Sequence, residues 1–184
     1  LNIDSNAGDI TIGSTTLTAA KLTTISIVGD KTVSIGAASG STTTALADVN
    51  GSTATGAITL GASLDFANAA VIETGTGNDT LNIVTTVNLT SAVDMGEKAS
   101  DSDTLNVTGT ADLGISNVDL SQADQITQIN GLVNSAVQTG IENVDFSGTT
   151  GTYGTVLTGN SDTNLLVGST VVDIINPGAG ADTV

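Results

Sequence analysis

The last twenty-six residues decide the fold, because they fall into blocks of nine: "GNSDTNLLV" (residues 159–167), "GSTVVDIIN" (168–176) and "PGAGADTV" (177–184). Asn164, Asp173 and Asp182 all take sixth place, and Leu157, Leu166, Ile175 and Val184 step by nine. A polar corner followed by a short apolar burst at a fixed period is a chain that turns, runs one strand and turns again. With nine residues per half-turn, the pattern predicts a parallel β-roll.

Repeats continue outward from this end. Asp79-Thr80-Leu81-Asn82-Ile83 recurs as Asp103-Thr104-Leu105-Asn106-Val107, twenty-four residues on, and Leu1-Asn2-Ile3 reads as the tail of a third copy. Asn117-Val118-Asp119-Leu120-Ser121 is echoed by Asn143-Val144-Asp145-Phe146-Ser147. Leu1 and Ile10, like Ile3 and Ile12, are nine apart. Residues 23–36 form two alternating runs around Gly29-Asp30, which fits either a hairpin or a solenoid corner. Residues 36–52, rich in Ser, Thr, Gly and Ala, read as an exposed loop or loose strands. Ser121 stands where a cap would, and Ile126, Ile129, Leu132 and Val133 recur at three- and four-residue spacing. That spacing predicts a short helix over 121–133, although Asn130-Gly131 interrupts it.

Composition narrows the partners. Nineteen acidic residues face three lysines in 184 residues, a net charge of −16. Nucleic acid and anionic membrane surfaces are repelled by such a chain, and a cation is its natural complement. No apolar run approaches the ~18 residues of a membrane-spanning helix, so membrane insertion is not expected. The hydrophobic fraction of 39% comes in alternating bursts, which argues against disorder. Aromatic residues are few, Phe66, Phe146 and Tyr153, so thin aliphatic ladders suit the core better than stacked rings. Without Cys or His there is no disulfide framework, no zinc site and no catalytic triad, and the chain is not read as an enzyme.

Three loops lead through small residues into aspartate, threonine and an apolar residue: Gly75, Gly77 and Asp79; Asp101 and Asp103; Gly178, Gly180 and Asp182. Glycines permit positive φ, so that carbonyl oxygens converge, and the aspartate adds a hard anionic oxygen. Such ligands favour Ca²⁺ over zinc or copper. Asp162, Asn164 and Asp173, at the other nonapeptide corners, are further candidate ligands.

These blocks resemble the glycine-rich nonapeptide calcium repeats of RTX proteins, with G-G-x-G-x-D followed by x, an apolar residue and x. The resemblance implies Ca²⁺ held between two loops one turn of eighteen residues apart, so that Asp182 faces Asn164 and Asp162, and Asp173 faces the loop around Thr155. The chain departs from the motif at Thr74, Pro177, Val171 and Asn164. Gly61 stands eighteen residues before Asp79, so further ligands for Asp79 are expected from Glu73 or from Asp101 and Asp103. The remainder, above all "GIENVDFSG" (140–148), resembles strand repeats of bacterial surface-layer proteins and large secreted adhesins.

The expectation is an all-β, right-handed parallel β-solenoid or β-roll with calcium-binding turns. It comprises strand repeats over 1–72, degenerate calcium loops over 73–148 and the start of the roll over 149–184, and reads as a piece of a longer array. The resemblance implies an extracellular structural protein at the bacterial cell surface, exported by type I secretion and folding outside, with copies of itself in a lattice as partners. Cell-surface polysaccharide would be reached through regions outside this segment. Alternatives are a calcium-stabilised adhesin stalk and the non-catalytic secretion and folding module of a larger exoprotein.

Overall fold

The computed structural model describes residues 1–13, 22–36, 46–61, 71–86, 89–96 and 101–184. Among them there is no helix, and short strands join three sheets. The first sheet stacks β1 (Asn2–Asp4), β3 (Thr24–Val28), β5 (Asp48–Asn50), β7 (Val71–Glu73), β9 (Ala92–Asp94) and β14 (Gln138–Thr139), all parallel. The second stacks β2 (Ile10–Ile12), β4 (Val33–Ile35), β6 (Ile58–Leu60), β8 (Thr80–Val84), β10 (Thr104–Ala111), β15 (Asn143–Gly151) and β17 (Leu165–Val167), also all parallel. In the third, β11 (Ser116–Asp119), β16 (Thr155–Thr158) and β18 (Ile174–Asn176) are parallel, and β12 (Ile126–Ile129) and β13 (Leu132–Val133) add an antiparallel hairpin.

Strand order explains the parallel pairing. Outside the β11–β13 run the chain alternates between sheets, so a strand bonds to one further along the chain in the same sheet rather than to its sequence neighbour. Along β4 and β8 the β-branched and aliphatic residues Val33, Ile35, Leu81 and Ile83 point inward while Ser34 and Asn82 are half-buried. These inward residues from all three sheets form one cluster running from Ile3 to Leu166, with Phe146 its sole ring among the described residues.

At the C-terminal end the nine-residue period carries the chain from one sheet to another, β16 and β18 lying in the third and β17 in the second. Leu157 pairs with Ile175 in the third sheet, and the Leu165–Thr183 bridge sets Leu166 beside Val184 in the second. Leu81 and Ile83 likewise stack on Leu105 and Val107. Other echoes do not stack: Leu1-Asn2-Ile3 enters the first sheet rather than the second, and Asn117 and Asn143 lie in different sheets. An alternating strand phrase fits any side of such a fold, so similarity of phrase does not fix position.

At Gly29-Asp30 the corner reading holds, because β3 and β4 belong to different sheets. Gly29 has φ +125°, and a Cβ there would collide with Ser5 Oγ of the neighbouring turn. Of residues 36–52, positions 37–45 lie outside the described residues. The end of that stretch is β5 with Val49 buried, not a loose strand.

The expected helix over 121–133 is instead the β12–β13 hairpin. Asn130 (φ 50°) and Gly131 (φ 74°) form its two-residue turn, with both central residues at positive φ as a type I′ turn requires. A bulge produced the helical spacing: Asn117 faces Gln128 but Val118 faces Ile126, so Thr127 is extra and exposed. Ile126 and Ile129 therefore both point inward although three residues apart. Ser121 bonds through N and Oγ to Asp119 Oδ1, an Asx-type turn rather than a cap.

Candidate metal centre

Five polar residues stand one above another: Asp79, Asp103, Glu142 and Asn164 immediately before β8, β10, β15 and β17 of the second sheet, and Asp182 immediately before the single bridge from Thr183 to Leu165. Their alignment follows from the pairing of Thr80 with Thr104, Thr104 with Asn143, Asn143 with Leu165, and Leu165 with Thr183. Each bonds to the backbone of the turn before. Asp79 Oδ1 accepts the Ile58 amide at 2.6 Å and Asp103 Oδ1 the Asp79 amide at 2.6 Å. Glu142 Oε2 accepts the Asp103 amide at 2.7 Å, Asn164 Nδ2 donates to Glu142 O at 2.9 Å, and Asp182 Oδ1 accepts the Asn164 amide at 2.9 Å. One oxygen of each carboxylate thus satisfies a corner N–H that the sheet ladder leaves over.

Around Asp103 the column holds more acid than this structural task uses. One carboxylate oxygen each of Asp101, Asp103 and Glu142 lies within 4.8 Å of the others. Asp103 is fully buried, and its Oδ2, like Asp79 Oδ2, has no hydrogen-bond partner. Burial pushes the Asp103 carboxyl up from 3.8 to about 8, with Asp79, Glu142 and Asp101 adding repulsion against the opposing bond from the Asp79 amide. Burial likewise raises Asp79 to about 6, with a hydrogen bond to the Thr74 side chain and then the Ile58 amide opposing, and Asp101 adding repulsion. A buried carboxylate with an idle oxygen among like charges either keeps its proton or takes a cation. An all-oxygen donor set without nitrogen or sulfur matches a hard divalent ion.

The other sequence candidates divide into two groups. Asp79 adjoins Asp103, while Glu73 lies on β7 in the first sheet. Asp182 meets the Asn164 turn eighteen residues back, and Gly180 lies against Asp162 O. Asp173 Oδ1 accepts the Thr155 amide at 2.7 Å, with Thr155 Oγ1 and Ser169 Oγ also donating to it. Asp162 is exposed, and its amide donates to Asn160 Oδ1. Neither Asp162 nor Asp173 enters the acidic trio. Gly75, at φ +101°, packs against Ala54 O so closely that a Cβ would collide with it, and at Gly77 one would stand 2.6 Å from Gly56. Gly178, at φ +88°, packs similarly on Asn160 O. These glycines are set by corner stacking on corner.

Sequence reasoning missed Glu142, which lies thirty-nine residues from Asp103 because the hairpin intervenes. The signal lay in aligning Asp103-Thr104-Leu105-Asn106-Val107 with Glu142-Asn143-Val144-Asp145-Phe146, where Leu105 and Val107 match the equally buried Val144 and Phe146. The chain matches no family model, no curated protein and no solved structure.

Proposed function

We propose that this chain is a calcium-dependent extracellular structural module, a right-handed parallel solenoid serving as part of a bacterial surface-layer subunit. The observation that carries the reading is Asp103, a fully buried carboxylate with an idle oxygen beside Asp101 and Glu142. Calcium supplies the missing positive charge, and it does so only when the β10 and β15 turns are in register, since Glu142 comes from the turn after Asp103. Ion binding is thereby tied to folding. The resemblance to RTX nonapeptides, the column continuing through Asn164 and Asp182, and a net charge of −16 point the same way.

In a low-calcium cytoplasm such a chain stays loosely folded and fit for export, and millimolar calcium outside the cell completes it. The test is calorimetric titration of calcium into wild type and Glu142→Gln, alongside urea denaturation. Wild type is expected to bind calcium and gain stability, with the variant at least tenfold weaker. Identical urea midpoints in EGTA and in calcium, or an unchanged Glu142→Gln titration, would overturn the assignment.

A further inference from the structure

The trio offers too few oxygens to complete a calcium shell. One oxygen of each carboxylate converges on the site, and two of the trio's oxygens, Asp103 Oδ1 and Glu142 Oε2, also accept the Asp79 and Asp103 amides. Calcium takes six to eight oxygen ligands. At least two positions are filled from outside the trio, and the surroundings say from which side. Asp103 is buried behind, whereas Asp101 and Glu142 line a cleft of about 840 Å³. The open positions therefore face that cleft.

The cleft's remaining chemistry narrows the ligand. Gln122, Asn160, Ser161 and Thr163 contribute neutral amides and hydroxyls, groups that both donate and accept hydrogen bonds. Three carboxylates around a divalent ion leave a negative balance, and Asp162 on the same cleft adds to it. An anionic ligand is repelled there, and an apolar one meets a mostly polar wall. A neutral polyhydroxyl compound meets both conditions, because adjacent hydroxyls offer two uncharged oxygens spaced to chelate one cation. The volume falls within the ~300–1,000 Å³ of small-ligand pockets, ample for a short oligosaccharide.

We infer that this cleft binds a neutral saccharide through calcium: a vicinal diol completes the shell of an ion held by Asp101, Asp103 and Glu142, and the surrounding amides and hydroxyls bond the other sugar hydroxyls. The inference rests on the calcium reading of the trio and adds a ligand to it. A structural module with such a site attaches to a glycan surface as well as to its neighbours.

The experiment titrates calcium-loaded protein calorimetrically with mannotriose, galactobiose and maltotriose, which present differently oriented diols, and with trigalacturonate. At least one neutral sugar is expected to bind, with at least tenfold loss in EGTA. Ser161→Trp, which fills the exposed side of the cleft, is expected to abolish sugar binding while calcium affinity stays within twofold, and Gln122→Ala is expected to weaken it several-fold. If calcium itself fails to bind, the structural reading falls and this inference with it. If calcium binds but none of the neutral sugars does, the saccharide inference alone is overturned. It is equally overturned by sugar binding that survives EGTA or by a preference for trigalacturonate.

Discussion

Asp103 uses its two oxygens differently, and pH separates the two uses. Oδ1 accepts the Asp79 amide whether or not the group is ionised, while Oδ2 is idle. A carboxyl whose folded-state value lies above its unfolded value takes up a proton on folding. Its stabilising contribution is complete below about 3.8 and is lost as pH rises through about 8 for Asp103 and through about 6 for Asp79. In EGTA, stability contributed by this pair therefore falls with rising pH: two protons contribute between 3.8 and 6, and one between 6 and 8. The slope is about 1.4 kcal/mol per pH unit per proton. Urea midpoints measured across this range are expected to drop for wild type, and Asp103→Asn, which keeps the amide acceptor and cannot ionise, is expected to flatten the part above pH 6. Saturating calcium flattens the trend, because the ion binds the deprotonated form and its affinity rises with pH by as much as the calcium-free stability falls. A wild-type profile in EGTA that matches Asp103→Asn between pH 6 and 8 would refute the buried-charge account.

Among the elements, the β12–β13 hairpin shows where sequence periodicity misleads. Regular strands were legible because alternation survives in each of them, as at Val33, Ser34 and Ile35. The hairpin was not, because the extra Thr127 converted a two-residue period into a three-residue one, and the Asn130-Gly131 turn read as an interruption rather than as the centre. The hairpin as a whole also hid Glu142, by spacing it thirty-nine residues from its neighbour in the column. The glycine- and aspartate-bearing loops were legible as loops, and their partners were not, since which corners stack is decided by turns of unequal length. Asn130 binds the hairpin to the body: its Oδ1 accepts the Leu113 amide at 2.9 Å, and Nδ2 donates to Thr85 O at 3.2 Å. Gly131 sits at φ +74°, where an added Cβ would stand 3.0 Å from Gly114 Cα. Gly131→Ala is expected to cost about 1–2 kcal/mol from the left-handed conformation, before any readjustment at Gly114. Chemical denaturation measures this directly, and a change below a few tenths of a kcal/mol would mean that the turn is not of this type.

For the whole molecule, charge and register act together. A net charge of −16 opposes both compaction and the approach of a second copy. Calcium at a site formed only by aligned turns adds about 2.7 kcal/mol per site at a hundredfold excess over Kd, and it also lowers the charge each copy presents. Simple screening acts differently: 1 M sodium chloride shortens the Debye length to about 3 Å and weakens repulsion without occupying the trio. Magnesium is smaller and sheds its water reluctantly, so under the calcium reading it is a poor substitute at the trio. The surface-layer reading therefore expects millimolar calcium to raise the sedimentation coefficient sharply and to produce sheets under the electron microscope, with neither 1 M sodium chloride nor magnesium doing so. A calcium-stabilised rod that stays monomeric would favour the adhesin-stalk alternative. Equal assembly in sodium chloride would show that screening of −16, rather than occupancy of the Asp101, Asp103 and Glu142 site, brings the copies together.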